Sequence, residues 1–159
     1  MKNWNSILAL ALFVALCLGV SGLGAWFTSG SVATWYPTIR KPAWNPPAWV
    51  FGPVWTVLYV MMATAAWLVW RKAGFSGAAG AMGLFAAQLA LNAAWSPLFF
   101  GLRSPAAGLA DIVALWIAVG VTLFAFWRVV PLAGALLVPY WLWVTFATAL
   151  NFAIWRLNS

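Results

Sequence analysis

Hydrophobic residues dominate this chain in five long runs, and basic residues mark the points where one run ends and the next begins. The cations are Lys2, Arg40, Lys41, Arg71, Lys72, Arg103, Arg128 and Arg156. A helix needs roughly 20 apolar residues to cross the ~30 Å hydrocarbon layer of a bilayer. Each interval between the basic positions accommodates one crossing but not two. The pattern therefore predicts an all-α membrane protein, a bundle of five transmembrane helices.

Local signals predict where these helices begin and end. Asn45 followed by two prolines is typical of a helix start, because asparagine caps and an early proline loses only an orphaned donor. Gly74 suits a left-handed turn at a helix end, and Ser104 with Pro105 marks another start. The apolar run after Lys2 resembles a secretory signal but continues long enough to span. The helices are predicted at about 6–27, 46–70, 78–100, 105–127 and 132–157, in a single domain of residues 1–159 with a long first loop at 28–45.

The composition limits the partners of the chain. Only 6% of its 159 residues are charged and 66% are hydrophobic, whereas soluble proteins carry about 25% charged residues. The net charge of +7 is spread over single or paired cations at the ends of the spans. Such cations snorkel to lipid headgroups, and they form no basic stripe. We therefore expect membrane lipid as a partner and no nucleic acid. With four cations predicted on each side of the membrane, the positive-inside rule gives no orientation.

The residues of common catalytic sites are scarce. The chain has no histidine, one acidic residue, Asp111, and one cysteine, Cys17. It therefore offers no nucleophile–base–orienter set and no metal-ligand cluster. We expect no metal site and no required cofactor, and an enzyme is the less favoured interpretation. Any catalysis would have to come from a bound chromophore.

Polar side chains inside the spans are few, and each needs a partner at lipid depth. Gln88, Asn92 and Asn151 are expected to bond to neighbouring helices, with contact to a ligand as the alternative. Asp111 lies about six residues into the fourth helix and is expected to face the bundle or reach a cation, with a structural ion pair favoured over a proton-coupled role. The cations predicted on its side are Arg40, Lys41, Arg103 and Arg156.

Fourteen tryptophans give the chain its most unusual composition. Those near the ends of the spans are explained by anchoring at the membrane interface. Deeper ones share helical faces with other residues: Trp55 with Tyr59, Trp95 with Asn92 and Phe99, and Trp143 with Ala147 and Leu150. These faces either pack together as core or enclose a flat apolar ligand, and the spacing does not decide between the two.

Small residues recur along the third helix at spacings that let two helices approach closely in lipid. This face favours a homodimer, although a partner helix in the same chain is the alternative. The residues are Ala79, Gly83, Ala87 and Ala90.

Several linked motifs resemble the translocator protein family, also known as the TspO/MBR family, tryptophan-rich sensory proteins or the peripheral-type benzodiazepine receptor. They cover about residues 35 to 156, in the family's order. The motifs are Trp35-Tyr36, Lys41-Pro42-Ala43-Trp44-Asn45-Pro46-Pro47, Val50-Phe51-Gly52-Pro53-Val54-Trp55-Thr56, the run from Gln88 to Gly101, Pro139-Tyr140-Trp141-Leu142-Trp143, and the run from Phe146 to Phe152.

The resemblance implies a five-helix bundle, often dimeric, with a ligand pocket between the helices under the first loop. The family's ligands are porphyrins such as protoporphyrin IX, sterols, and benzodiazepine- or isoquinoline-type drugs. The animal sterol motif carries a tyrosine where this chain has Phe152, so the hydroxyl is missing. By motif position, the implied pocket residues are Tyr36, Trp44, Trp55, Tyr59, Asn92, Trp95, Trp143, Ala147 and Leu150.

The expected function is thus binding of tetrapyrroles and other flat apolar molecules by a sensor, a sequestering protein or a transporter. Tryptophan faces suit the porphyrin plane, and Arg40 or Lys41 suits its propionates. One alternative is light-dependent porphyrin breakdown involving Trp55 and Trp143, which the resemblance also suggests. Another is a structural membrane subunit without a ligand. The expected location is a bacterial cell membrane, inner or outer, or the mitochondrial outer membrane in a eukaryote.

Overall fold

A computed structural model of the chain describes residues 3–159, with the side chain of Asn3 excepted, and within that range it is helical without strands. Lys2, used above to delimit the first span, lies outside the described residues. All five long helices are long and apolar enough to cross a membrane. They are α1 (Asn3–Thr34), α2 (Ala48–Gly77), α3 (Ala79–Ser96), α4 (Pro105–Val129) and α5 (Pro131–Asn158).

The first loop is shorter than the sequence predicts, because α1 continues to Thr34 instead of ending near residue 27. Residues 35–47 form the loop, which includes a short 3₁₀ turn at Tyr36–Thr38. α2 begins at Ala48, two residues later than predicted, and no side chain caps it. Asn45 does not act as the expected cap because its Oδ1 accepts a hydrogen bond from the Tyr36 hydroxyl.

The turns between the other helices explain the remaining boundaries. Gly74 has a positive φ of +67°, but its ψ of 177° makes it a kink instead of the predicted left-handed turn at the helix end, and the helix resumes and ends at Gly77. α2 therefore extends past Arg71 and Lys72, seven residues beyond the predicted end at 70. The Ser104 hydroxyl accepts a hydrogen bond from the Ala107 amide at 3.2 Å and caps α4.

The third span ends in a wide turn. After Ser96 the chain forms a π-helical turn, Pro97–Gly101, in which the Leu102 amide donates to the Pro97 carbonyl. Such turns interrupt the regular α-helical hydrogen bonding and re-aim side chains. The Ser31 hydroxyl of α1 donates to the Phe100 carbonyl at 2.8 Å. This bond ties the turn to the first helix.

The five helices close into a ring. α1 packs on α2 and α3, α2 packs on α5, and α4 lies between α5 and α3. Gly134 allows the start of α5 to approach α4, because a Cβ at this position would lie 2.7 Å from the Cβ of Trp127. Large apolar side chains such as Leu8 and Phe124 remain exposed around the ring, as expected of a surface that meets lipid. The chain is therefore a five-helix, multi-pass integral membrane protein.

Candidate functional site

Aromatic side chains of α2 and α5 form a continuous seam inside the ring, here called the α2–α5 seam (Phe51, Trp55, Tyr140 and Trp143). The ring centroids of Phe51 and Trp143 are 5.9 Å apart, and those of Trp55 and Tyr140 are 6.1 Å apart. Tyr59, one turn from Trp55, lies 5.6 Å from it. Trp55, Tyr59 and Trp143, which the resemblance implies as pocket residues, therefore each contact a ring of this seam.

A chain of hydrogen bonds crosses the interior beside this seam. The Tyr59 hydroxyl donates to Oδ1 of Asn92, and Nδ2 of Asn92 donates to the Tyr140 hydroxyl at 2.7 Å. The Tyr140 hydroxyl in turn donates to Oε1 of Gln88 at 3.0 Å. All four side chains are buried. The expected bonding of Gln88 and Asn92 to other helices is confirmed, and it joins α2, α3 and α5, although Nε2 of Gln88 has no hydrogen-bond partner among the described residues.

A second group of rings lies closer to the first loop and is called the loop-side cluster (Trp35, Tyr36, Trp95, Phe99 and Phe100). Trp95 stacks on Phe99 with centroids 4.9 Å apart and planes inclined by 20°. Phe100 meets Trp95 edge-on at 5.7 Å. Phe99 and Phe100 lie in the π-helical turn, and both are buried.

Polar contacts fix the position of Trp95. Its indole N–H donates to Oδ1 of Asn151 at 3.1 Å, and Nδ2 of Asn151 donates to the Pro105 carbonyl at 2.8 Å. Gly108 permits this arrangement, since a Cβ there would lie 2.8 Å from the Phe99 ring and 3.0 Å from Oδ1 of Asn151. Asn151 thus bonds to a neighbouring helix and orients a candidate ligand-binding ring.

The first loop covers these rings. Trp35 lies 5.6 Å from Phe99, and Tyr36 lies 5.7 Å from Phe100. Farther along the loop, Trp44 meets Phe146 of α5 at 5.8 Å while half of its surface stays exposed. The two loop residues implied by the resemblance, Tyr36 and Trp44, therefore both contact the interior aromatic side chains.

The two loop cations are placed differently. The Lys41 ammonium donates to the carbonyls of Tyr36 at 2.6 Å and Ile39 at 2.8 Å, and lies 4.7 Å from the centroid of the Tyr36 ring. It is thus directed into the loop. Arg40 is exposed, and its backbone bonds to Asn158. Burial raises the pKa of the Tyr36 hydroxyl above 10.0, an effect that the bond to Asn45 partly offsets.

The implied residues of α5 lie at different depths. Leu150 is buried against Phe99, Phe100 and Ile154, and Ala147 packs against the main core. Trp143 is partly buried, and its indole N–H is enclosed without a hydrogen-bond partner in the described part of the chain. An enclosed donor without an acceptor is unfavourable, so this N–H is a suitable contact for a ligand acceptor.

The expected inward position of Asp111 is confirmed, whereas its expected ion pair is wrong within the described residues. Asp111 is buried, but no cation pairs with its Oδ2, which has no hydrogen-bond partner among residues 3–159. The fourth helix turns this carboxylate inward, whereas Arg103 and Arg156 are exposed. Among the deep tryptophans, Trp116 and Trp141 lie away from the seam. They stack on each other at 5.2 Å beside an outer groove of about 480 Å³ between α4 and α5.

Sequence reasoning missed several residues that complete the interior. Phe51 lies one helical turn before Trp55, and the same spacing rule would have found it. Tyr140 is on the inner stripe three residues before Trp143. Phe100 had no such signal, because it is not spaced by three or four residues from Trp95 or Phe99.

Comparison with known proteins agrees with this architecture. The model of the TspO/MBR family matches residues 13–156. The "Tryptophan-rich protein TspO" of Chlorobaculum tepidum is 51% identical over 158 residues, covering 97% of this chain and 98% of that protein. The "Tryptophan-rich sensory protein" of Cereibacter sphaeroides is 43% identical, covering 92% of this chain and 89% of that protein. The "Translocator protein" of Homo sapiens is 43% identical, covering 86% and 82% respectively. A five-helix membrane bundle with this aromatic interior, matched over nearly its whole length, belongs to the TspO/MBR family.

Proposed function

We propose that this chain binds porphyrins, with protoporphyrin IX as the representative ligand, between the α2–α5 seam and the loop-side cluster. The observation that carries the proposal is the enclosed indole N–H of Trp143, a donor with no acceptor in the described chain. It lies in a wall of aromatic rings contributed by two helices. A flat apolar ligand with peripheral acceptors satisfies both features of this wall.

The surrounding side chains support a planar guest. Indole and phenyl faces stack on extended π-systems, and the rings of Trp55, Trp95 and Trp143 come from three different helices. Arg40 is the better placed of the two loop cations to meet a propionate, since Lys41 already donates to two loop carbonyls. Sterol-like molecules are a second ligand class, for which exposed Phe152 supplies a ring but no hydroxyl.

A fluorescence titration tests the proposal. Protoporphyrin IX added to the purified protein should quench tryptophan emission in a saturable manner, because several indoles lie within the proposed site. The same titration of protein-free detergent micelles or liposomes, with free tryptophan as the fluorophore, controls for partition into the apolar phase. Quenching that rises without saturation, as in the control, would favour the structural-subunit alternative.

Binding is compatible with sensing, sequestration or transport, and sealed vesicles separate these roles. A transporter would move protoporphyrin IX across vesicles that contain the protein faster than across empty vesicles. Saturable binding with no such flux would leave sensing or sequestration. The vesicle experiment therefore refines the proposed function without deciding whether the porphyrin is bound.

Light-dependent breakdown of a bound porphyrin is a second candidate, favoured by the contacts of Trp55. Its ring lies 5.6 Å from Tyr59 and 6.1 Å from Tyr140, so a tryptophan oxidised by an excited porphyrin would have two tyrosines in close range. Illumination of the complex in air should give a new product that is lost in Trp55→Phe and Trp143→Phe. Equal bleaching in the wild type and both variants would contradict this candidate.

We also propose that the chain forms a homodimer through α3. The residues of its small-residue face, Ala79, Gly83, Ala87 and Ala90, are all exposed in the single chain. A Cβ at Gly83 would meet no atom within 4 Å. Small residues that are not needed for packing inside the ring are well suited to close contact with a second helix.

A further inference from the structure

The side chain of Asn158, at the end of α5, holds the middle of the first loop by a reciprocal pair of hydrogen bonds. Its Oδ1 accepts from the Arg40 amide at 2.9 Å, and its Nδ2 donates to the Arg40 carbonyl at 2.9 Å. The same Nδ2 also donates to the Ile154 carbonyl within α5 at 2.7 Å. The amide therefore uses both donors and its acceptor, so its orientation is fixed.

This pair of bonds lies next to the residues by which the loop covers the interior. Ile39, which precedes Arg40, packs against the buried group that contains Phe99, Phe100 and Ile154. The residues that cover the rings, Tyr36 and Trp44, lie on either side of Arg40 along the loop. While Arg40 stays bonded to α5, the middle of the loop is held in place. Tyr36 and Trp44 therefore cannot both move away from the rings that they cover.

We propose that Asn158 is a latch: its two bonds to the Arg40 backbone keep the first loop closed and set the rate at which a ligand passes beneath it. Phe99 and Phe100 are almost fully buried under the closed loop, so a porphyrin needs the loop to open before it reaches them. Asn158 is hydrogen-bonded to the backbone of Arg40 and Ile154 and, in the described chain, to none of the aromatic side chains of the proposed site, so it acts as a positioning residue. The kinetic part of this inference rests on the porphyrin-binding role proposed above.

Limited proteolysis tests the latch without any ligand. Trypsin cuts after arginine, and in this loop it should cut between Arg40 and Lys41, because Pro42 protects the next bond. Cleavage requires the loop to leave its closed position. Asn158→Leu, which keeps the size of the side chain and removes its hydrogen bonds, should raise the cleavage rate about tenfold, the effect of losing two bonds of ordinary net strength.

Two controls separate the latch from general loosening. Ser159→Ala changes the neighbouring residue, whose hydroxyl contacts only the Arg156 carbonyl at 3.5 Å, and should leave the cleavage rate unchanged. Cleavage after Arg103, in the turn before α4, should be equal in wild type and Asn158→Leu. An unchanged rate at Arg40, or an equal rise at Arg103, would overturn the latch.

The rates of ligand binding and release test whether the latch controls access to the proposed site. Asn158→Leu should raise the association and dissociation rates of protoporphyrin IX together, by about tenfold, while Kd changes little. Unchanged rates in a variant whose loop is cut faster would show that the ligand enters elsewhere and would overturn the gating role. If the wild type does not bind protoporphyrin IX, the proposed function and the gating role both fail, whereas the cleavage rates still decide whether Asn158 holds the loop.

Discussion

Nδ2 of Asn92 donates a hydrogen bond to the hydroxyl of Tyr140 at 2.7 Å, and this bond joins α3 to α5 across the bundle interior. The two helices are not neighbours in the ring, since α4 lies between them on one side and α1 and α2 on the other. Lipid offers no hydrogen-bond partner, so each of these polar groups depends on the other. The hydrogen-bond chain therefore fixes the relative placement of the helices that form the proposed site.

Tyr140→Phe should destabilise the protein. The substitution leaves Nδ2 of Asn92 and Oε1 of Gln88 without the hydroxyl that both contact. Leaving buried polar atoms unpaired costs about 1–3 kcal/mol. Thermal unfolding in detergent should show a lower midpoint than wild type. Thr64→Val is the control, because its hydroxyl bonds only to the Val60 carbonyl of its own helix. Equal midpoints for both variants would mean that the interior chain contributes no stability.

Trp143→Phe should weaken protoporphyrin IX binding about tenfold, the value of roughly one hydrogen bond. The unliganded protein should lose little stability, because the deleted N–H has no partner in the described chain. Trp116→Phe is the matched control. Its N–H donates to Thr145 on the outer face of the bundle, so its removal should leave the affinity unchanged. Fluorescence titrations measure the affinity of both variants for protoporphyrin IX. Equal losses of affinity would mean that the ligand does not contact the Trp143 N–H.

Stability should fall at alkaline pH partly through Tyr36. Burial raises the pKa of this hydroxyl above 10.0, so the unfolded chain releases the proton at a lower pH than the folded protein. The contribution of Tyr36 to the free energy of unfolding is complete below about pH 10, and it is lost as the pH rises through the pKa of Tyr36 in the folded protein. Tyr36→Phe should therefore reduce the decline in unfolding midpoint between about pH 9 and about pH 11, the range around the ordinary pKa of tyrosine. If the unfolding midpoints of wild type and variant fell in parallel with pH, Tyr36 would not contribute to the alkaline loss of stability.

Gly83→Leu and Ala87→Leu should convert a dimer to a monomer. Both residues lie on the exposed small-residue face of α3, where added bulk would separate two closely packed helices. Light scattering coupled to size-exclusion chromatography gives the mass of the protein in its detergent micelle. Ala114→Leu, at an exposed position of α4, is the control and should not change that mass. A monomeric wild type would contradict the dimer directly.

The number and class of the helices follow from the sequence, because a bilayer imposes a minimum apolar length and excludes charge from each span. The cap at Ser104 was predictable from its position before Pro105, and the positive φ of Gly74 from the conformational freedom of glycine. The end of α1 was not, because Ser29-Gly30 offers a turn signal near the predicted end, yet the helix continues through it to Thr34.

The helical faces of Trp55, Trp95 and Trp143 were visible in the sequence, but their mutual distances were not. Periodicity states which residues share a face, and only the packing order of the helices decides which faces meet. The contacts of Phe99 and Phe100 with Trp95 and the first loop, and the burial of Asp111 without a paired cation, needed the tertiary structure. Chain length and hydropathy thus determined that the protein crosses the membrane five times, whereas the contacts between residues distant in sequence determined what those crossings enclose.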